Sequence, residues 1–304
     1  MYFGSEYAEQ IHYIREDIKM EKKILFPRTK VAGIDMPRMI AGTNWILGFS
    51  HTSSSADELI KMRNYNRDAI VKILEAYDTY GINAVMGPYG DNPVLADAVH
   101  AAEDKFGHEF IIVDTPIVNV DDTAAARKEA EARFRQSRDL GAKFCLIHHY
   151  SAEQLVNKNK QEMPRLPDYL KMIRDNGMIP GLSAHMPELI VYSDQNEYDV
   201  ETYIQIYNCM GFLMQVEVEY INKVIWNAKK PVMTIKSMAA GRCSPFVGLT
   251  FSYATIRPCD MVTLGAFTPS EVHEDVEIAL AAIERRQPDL EGRNSPAKSE
   301  IMVK

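Results

Sequence analysis

Three of the eight histidines in this 304-residue chain, His148, His149 and His185, fall at or just past the ends of short apolar runs. Lys236 and Ser237 end another such run. An imidazole titrates near neutrality, and an amine held between apolar strands loses basicity, so both can move protons at pH 7. Further polar residues occupy equivalent positions: Asn44, Trp45 and His51 after the first run, Tyr89 after the second, Asp114 closing the third and Asn208 after the sixth. Two chemistries can use such a set. Asp114, one of His148 and His149 (taken as His149), and His185 can ligate a divalent metal such as Mn, Zn or Mg, which polarises a carbonyl or activates water. Alternatively, Lys236 serves as a base, a Schiff-base nucleophile or the partner of a developing oxyanion, with His148, His185 and Tyr89 as further catalytic groups. Asn44, Trp45, His51 and Asn208 are then substrate contacts, Trp45 offering an aromatic face to a sugar.

Each residue also has an ordinary role open to it. Asp114, in Asp-Thr-Pro, can cap a turn. Neighbours in a strand point to opposite sides, so one of His148 and His149 is expected to face away from any site on the other. His185 can simply precede a helix whose first turn holds Pro187. Lys236 can snorkel or pair with a carboxylate. Tyr89 can be a catalytic acid, a substrate shelf or packing. Neither an HxH nor an HxxE pair sits in a ligand-like context, which weakens the metal alternative.

What must position these residues is a chain that alternates short apolar runs with longer helical patterns. The strand candidates are 38–43, 82–86, 110–114, 143–148, 178–183, 201–207, 231–236 and 260–264. Segments such as RDAIVKILEAYDTYG and TAAARKEAEARFRQSRDLG lie between them, several closing on the glycine that often follows a helix. Eight strands with crossover helices predict an α/β fold, a (β/α)8 TIM barrel spanning 1–304 as a single domain; a doubly wound sheet is the alternative. Within it, 1–37 forms an extension: an amphipathic helix over 6–22, then a β-hairpin whose strands flank Gly33-Ile34-Asp35. The stretch 212–220 alternates like a strand but is assigned as loop and helix start. The segment 51–66 is expected to be a lid, or else an ordered insertion at a contact within a homo-oligomer. Residues 287–304 are expected to form a surface tail.

The bulk numbers bound the partners. A composition 46% hydrophobic and 25% charged is that of a globular protein with a large core. The net charge of −8, without a basic cluster, speaks against a nucleic-acid partner. The four cysteines form no CxxC pair, which argues against a zinc knuckle or a disulfide framework. With neither a signal core nor an apolar run near 20 residues, no membrane partner is expected, and a reducing cytoplasm fits. A small-molecule substrate is the partner that remains.

Several stretches together resemble the aldo-keto reductase superfamily. RTKVAGIDMPRMIAGTNWILG looks like that family's barrel-plugging hairpin and first strand, GINAVMGPYGDNPVLADAV like its second strand with the catalytic Tyr-Gly, and CLIHH like the strand-4 end with its pocket histidine. GLSAHMPELI resembles the strand-5 end; IKSMAAGR and MVTLGAFTPSEVHEDVEIAL resemble the strand-7 and strand-8 region. The resemblance implies a TIM barrel plugged at its bottom, Tyr89 and His148 in the catalytic pocket, and NADP held by residues such as Ser237, Arg242 and Gly265, with Thr268 to Glu274 as a phosphate-binding segment. The family's tetrad also contains an Asp in strand 2 and a Lys at the end of strand 3. This chain has INAVMG and IIVDTPIV there instead. The residues that lower the tyrosine pKa are therefore missing.

The expected function is an enzyme acting on a small oxygenated substrate (a sugar, polyol or keto acid) by isomerase-, epimerase- or lyase-type proton transfer, assisted by a metal or by Lys236. The alternatives are an NAD(P)-dependent oxidoreductase with a rebuilt tetrad, and an inactive barrel serving as a binding subunit.

Overall fold

The computed structural model describes residues 24–290. The helix expected over 6–22 and the tail from 291 onward lie outside the described residues. Eight parallel strands close into a barrel: β3 (Met39–Gly42), β4 (Ala84–Gly87), β5 (Ile111–Asp114), β6 (Phe144–Ile147), β7 (Ile179–Ala184), β8 (Thr202–Ile206), β9 (Val232–Ile235) and β10 (Met261–Leu264). Pairing of β10 with both β9 and β3 completes the ring, which excludes the open doubly wound sheet. All eight expected runs supply a strand.

Ahead of the barrel, β1 (Arg28–Val31) and β2 (Ile34–Pro37) form the expected hairpin. Its turn is Ala32-Gly33, both with positive φ (49° and 80°), as a tight turn matched to strand twist requires. The turn thus lies one residue earlier than the sequence suggested. Val31 and Met36 are fully buried in one cluster with Ile40, Phe144, Met233 and Met261, so the hairpin plugs the N-terminal end of the barrel.

Period-two alternation sorts the strand residues into two cores. Ile40, Ala84, Met86, Val113, Phe144, Leu146, Ile204 and Met233 fill the barrel. Met39, Ala41, Val85, Ile112, Cys145, Ile147, Tyr203 and Val232 pack outward against the helices. At the mouth, β3 and β4 approach so closely that a Cβ on Gly87 would lie 1.9 Å from Thr43 Oγ1, so only glycine fits there.

Eleven helices occur among the described residues. The segment 51–66 holds one of them, Ser54–Asn64, started by the Ser53 side chain accepting from the Ala56 amide. Asn64 anchors its far end, donating to the carbonyls of Trp45 (3.0 Å) and Phe267 (2.9 Å). Residues 212–217 are loop, followed by the helix Val218–Asn227, as assigned from sequence.

Candidate active site

A cavity of about 600 Å³ opens at the C-terminal ends of the strands. Its wall includes Asn44, Trp45, His51, His148, His149, His185, Lys236, Ser237 and Gly265. Nine residues singled out from sequence thus meet in one space, and Tyr89, Asp114, Asn208 and Arg242 do not join them.

Both His148 and His149 line the cavity, contrary to the expectation that one faces away. Strand β6 ends at Ile147, and His148 caps the short helix His149–Ala152, so strand alternation no longer applies. The rings of His149 and His185 stack 3.6 Å apart at 15°, and His148 leans on His149 at 4.3 Å. The Tyr150 amide donates to His148 Nδ1 (3.3 Å). That nitrogen is therefore the acceptor, and the neutral ring carries its proton on Nε2. Burial, then the neighbouring His149 and Lys236, hold His148 down to about 4. The same causes hold His185 down to about 3. His149 is lowered too, mainly by burial, with Glu153 working against it. Glu153 was not singled out from sequence, although its i+4 spacing from His149 was visible. Its Oε1 accepts from the His185 and Met186 amides at 2.8 and 2.9 Å and lies 4.0 Å from His149 Nδ1.

Lys236 follows β9, where Met233 and Ile235 point inward and Thr234 outward. Continued alternation would turn Lys236 out. Its φ of +62° ends the strand and brings the side chain to the cavity, at the backbone cost of a non-glycine residue in the left-handed region. Burial brings its ammonium down to about 8. Nζ lies 3.2 Å from His51 Nε2, and Asn44 Nδ2 lies 3.2 Å from the same nitrogen. Two donors on one nitrogen make Nε2 the acceptor of a neutral imidazole. In agreement, the pKa of His51, at the cavity rim, is lowered by burial and then by Lys236. Asp91 supplies a carboxylate to the wall, and Arg133 pairs with it.

Four residues depart from their expected roles. Asp114 is not positioned as a metal ligand. Val113 fills the barrel, so Asp114 points to the outer layer, fully buried. There it accepts from the Tyr89 amide (2.8 Å) and the Ser137 hydroxyl (2.5 Å) and also bonds the Gly90 and Thr115 amides. Among the described residues, no group of three His, Cys, Asp or Glu side chains is arranged to hold a metal.

Tyr89 is 1% exposed and belongs to the outer core, its hydroxyl donating to the Ala96 carbonyl at 3.4 Å. It lies past the end of β4, on the 3-10 turn Tyr89–Asp91. Burial raises its pKa, with Glu103 and Asp114 adding to the shift. Tyr89→Phe is therefore expected to change turnover less than about twofold and stability by less than about 1 kcal/mol, read by steady-state kinetics and thermal melting. A loss above tenfold would return the phenol to the chemistry.

Asn208 is fully buried and holds its own loop, accepting from the Met210 and Phe212 amides (3.2 and 2.9 Å) and donating to the Phe212 carbonyl (3.0 Å). Arg242 sits outside the wall, its guanidinium 3.9 Å over the Phe212 ring and bonded to the Ala239 and His51 carbonyls at 3.2 and 3.4 Å. The segment from Thr268 to Glu274 opens the helix Pro269–Glu284 with a capping arrangement. Thr268 accepts from the Glu271 amide (3.1 Å), and Glu271 Oε2 accepts from the Phe267 amide (2.7 Å). The Phe267 and Glu271 amides at this helix start are thus already paired within the chain.

No protein-family model matches this chain, and no curated protein matches it. Solved structures do. A protein from Pseudomonas aeruginosa, provisionally assigned as an aldo-keto reductase, is similar with a TM-score of 0.61 and 14% identity over 87% of this chain and 99% of its own. An aldo-keto reductase from Klebsiella pneumoniae, in complex with NADPH, gives 0.53 and 15% over 90% and 100%. An octameric ribulose-1,5-bisphosphate carboxylase/oxygenase from Pyrococcus horikoshii gives 0.51 and 10%, over 90% of this chain and 63% of the other. The chain shares with these proteins a (β/α)8 barrel.

Proposed function

We propose that the protein is an enzyme that moves a proton on a small oxygenated substrate, with Lys236 as the base and the neutral imidazoles of His148 and His185 as hydrogen-bond donors to the oxygen that gains charge. The observation that carries this reading is the juxtaposition of an amine lowered to about 8 with imidazoles lowered to about 4 and about 3 in one cavity. Environments that push neighbouring titratable groups apart assign the acid and base roles. At pH 7 roughly a tenth of Lys236 is free amine, while both imidazoles are neutral and can donate N–H without carrying charge. Abstraction of a proton next to a carbonyl, with the oxyanion held by these donors, is the step common to isomerases, epimerases and many lyases. The apolar face of Trp45 on the wall suits a sugar or polyol. A panel of ketoses, aldoses and 2-oxo acids incubated with the protein in deuterium oxide tests the proposal, with loss of the α-proton signal read by NMR. Exchange above the rate with denatured protein is expected for at least one class. Uniform absence of exchange would favour a binding subunit.

A second reading, an NAD(P)-dependent oxidoreductase, is supported by the NADPH of the Klebsiella structure. Against it, Glu271 caps its own helix start by accepting from the Phe267 amide, and the Tyr89 phenol is turned into the outer core. Of the two tryptophans only Trp45 lines the cavity, so Trp226→Phe leaves one reporter there. No fluorescence quenching of that variant is expected up to millimolar NADPH, and saturable quenching would favour the oxidoreductase.

A further inference from the structure

Outside the proton-transfer site, two mouth loops bring a pair of thiols together. Cys209 lies in the loop after β8 and Cys243 in the loop after β9, 34 residues apart in the chain. Their Sγ atoms are 4.0 Å apart, and both residues are half-buried. We propose that Cys209 and Cys243 are a redox modification site: they form a reversible disulfide that ties the two loops together beside Lys236.

The loops are already held in the required register. Arg242, next to Cys243, stacks 3.9 Å over the ring of Phe212, three residues beyond Cys209. Asn208 pins the first loop through its three bonds to Met210 and Phe212. The Cys243 amide donates to the Met238 carbonyl at 3.4 Å, which pins the second. With both loops held near each other by contacts that do not involve sulfur, closing from 4.0 Å to a bond of about 2.05 Å combines side-chain rotation with a small shift of the Cys243 loop toward Cys209. The remaining cysteines have no such partner. Cys145 is buried in the outer core, and the Cys259 thiol faces the Asp260 carboxylate at 3.8 Å.

The chemistry balances with a low-molecular-weight disulfide as oxidant. One cysteine, as its thiolate, attacks that disulfide and releases one small thiolate. The second then attacks the protein sulfur of the mixed disulfide and expels the other small thiol. Two protein thiols lose two electrons and two protons, and one small disulfide becomes two thiols. Burial and the adjacent Cys209 push the Cys243 thiol up to about 11, so the reaction is expected to accelerate as pH rises from 7 to 9.

The consequence for the mouth comes from what Cys243 touches. Its Sγ lies 3.8 Å from the carbonyl oxygen of Ser237, the residue next to Lys236. The intervening segment carries left-handed backbone at Lys236, Ala239 and Ala240 (φ 62°, 49° and 55°). Drawing Cys243 toward Cys209 pulls on a segment that has few alternative conformations, and the lysine amine stands at its start.

Oxidised glutathione, added to the whole protein at pH 8.5, provides the test. The thiol count after denaturation is expected to fall from four to two, and non-reducing peptide mapping is expected to show Cys209 joined to Cys243, with dithiothreitol restoring all four. The melting temperature is expected to rise by about 5 °C or more from loop closure. Cys209→Ser and Cys243→Ser should each abolish both changes and leave the reduced protein folded. Labelling of Lys236 by trinitrobenzenesulfonate should differ at least threefold between the oxidised and reduced forms. Retention of four thiols, glutathione bound singly to each cysteine, or a cross-link between other residues would overturn the site. An unchanged labelling rate in the cross-linked protein would overturn its coupling to the mouth. None of these readouts depends on the proton-transfer reading.

Discussion

Lys236→Met is expected to lower turnover by about 10²- to 10⁴-fold, the range over which a positioned general base contributes, while the folded protein becomes more stable at pH 7. The two effects have one origin. The folded state holds this amine near 8 instead of 10.5, so below pH 8 it carries a charge that burial disfavours. That cost is fully present below pH 8 and fades as pH rises toward 10.5, because the folded protein releases its proton before the unfolded chain does. Removing the amine removes the cost, an expected gain of about 1–3 kcal/mol at neutral pH after allowance for partial exposure. A lysine with a purely structural role would show the opposite pairing, with stability lost and turnover spared. Lys236→Arg is expected to match the loss of activity, because guanidinium stays protonated and cannot act as a base. The pH profile gives the sign of the role: kcat/KM should rise about fiftyfold from pH 6 to pH 8 and level above it, as free amine replaces ammonium. A fall through pH 8 would assign the catalytic role to the ammonium and overturn Lys236 as base.

Asp114→Ala is expected to cost about 3–5 kcal/mol of stability, about 10 °C in melting temperature, with metal content unchanged. The carboxylate is fully buried and gathers the amides of Tyr89, Gly90 and Thr115 and the hydroxyl of Ser137. Truncation takes the acceptor from the Tyr89 and Gly90 amides, while the Ser137 hydroxyl and the Thr115 amide keep only the Arg133 and Gly87 carbonyls. The Asp114 bonds tie the β4 and β5 ends to the helix Ala124–Asp139, so the β4 loop should loosen as well. Asp114→Asn keeps the shape but offers one acceptor oxygen in place of two, and should lose roughly half as much. Circular-dichroism melts of the three proteins, with metal analysis alongside, make the comparison. A melting temperature within 2 °C of the parent for Asp114→Ala would show that the network carries little, and a drop in bound metal would restore the ligand role.

Asp114 and Tyr89 show what alternation can and cannot reveal from sequence. Asp114, still within its strand, stands an even number of residues from outward-facing Ile112, whereas Tyr89 lies past the end of β4 on a 3-10 turn. The direction of Asp114 would follow at once if the inward set were known. It was not legible, because a parallel barrel strand is apolar on both faces, and IIVD or AVMG offers no polar side to set the phase. The likeness of GPYGDN to a catalytic Tyr-Gly therefore placed Tyr89 at the correct strand and on the wrong side of it. Asn208, expected as a substrate contact, falls outside the cavity for another reason: a buried asparagine that caps its own loop and one that binds a ligand have the same spelling.

His148, His149 and Lys236 went the other way. Strict alternation would have turned His149 and Lys236 outward, yet all three line the cavity. Each escapes because the strand has ended, at a helix start for the histidines and at a left-handed residue for the lysine. By itself the sequence determined the eight strands, the barrel, the hairpin and the loops from which mouth residues are drawn, because hydrophobic period and turn chemistry are local and repeat along the chain. The tertiary structure alone decided which polar side chains share the cavity, the displacement of Asp114, Tyr89 and Asn208 from it, and the meeting of Cys209 with Cys243. Those depend on where each strand stops and on closure of the ring, which bring residues distant in sequence to within a few ångströms and leave no periodic trace.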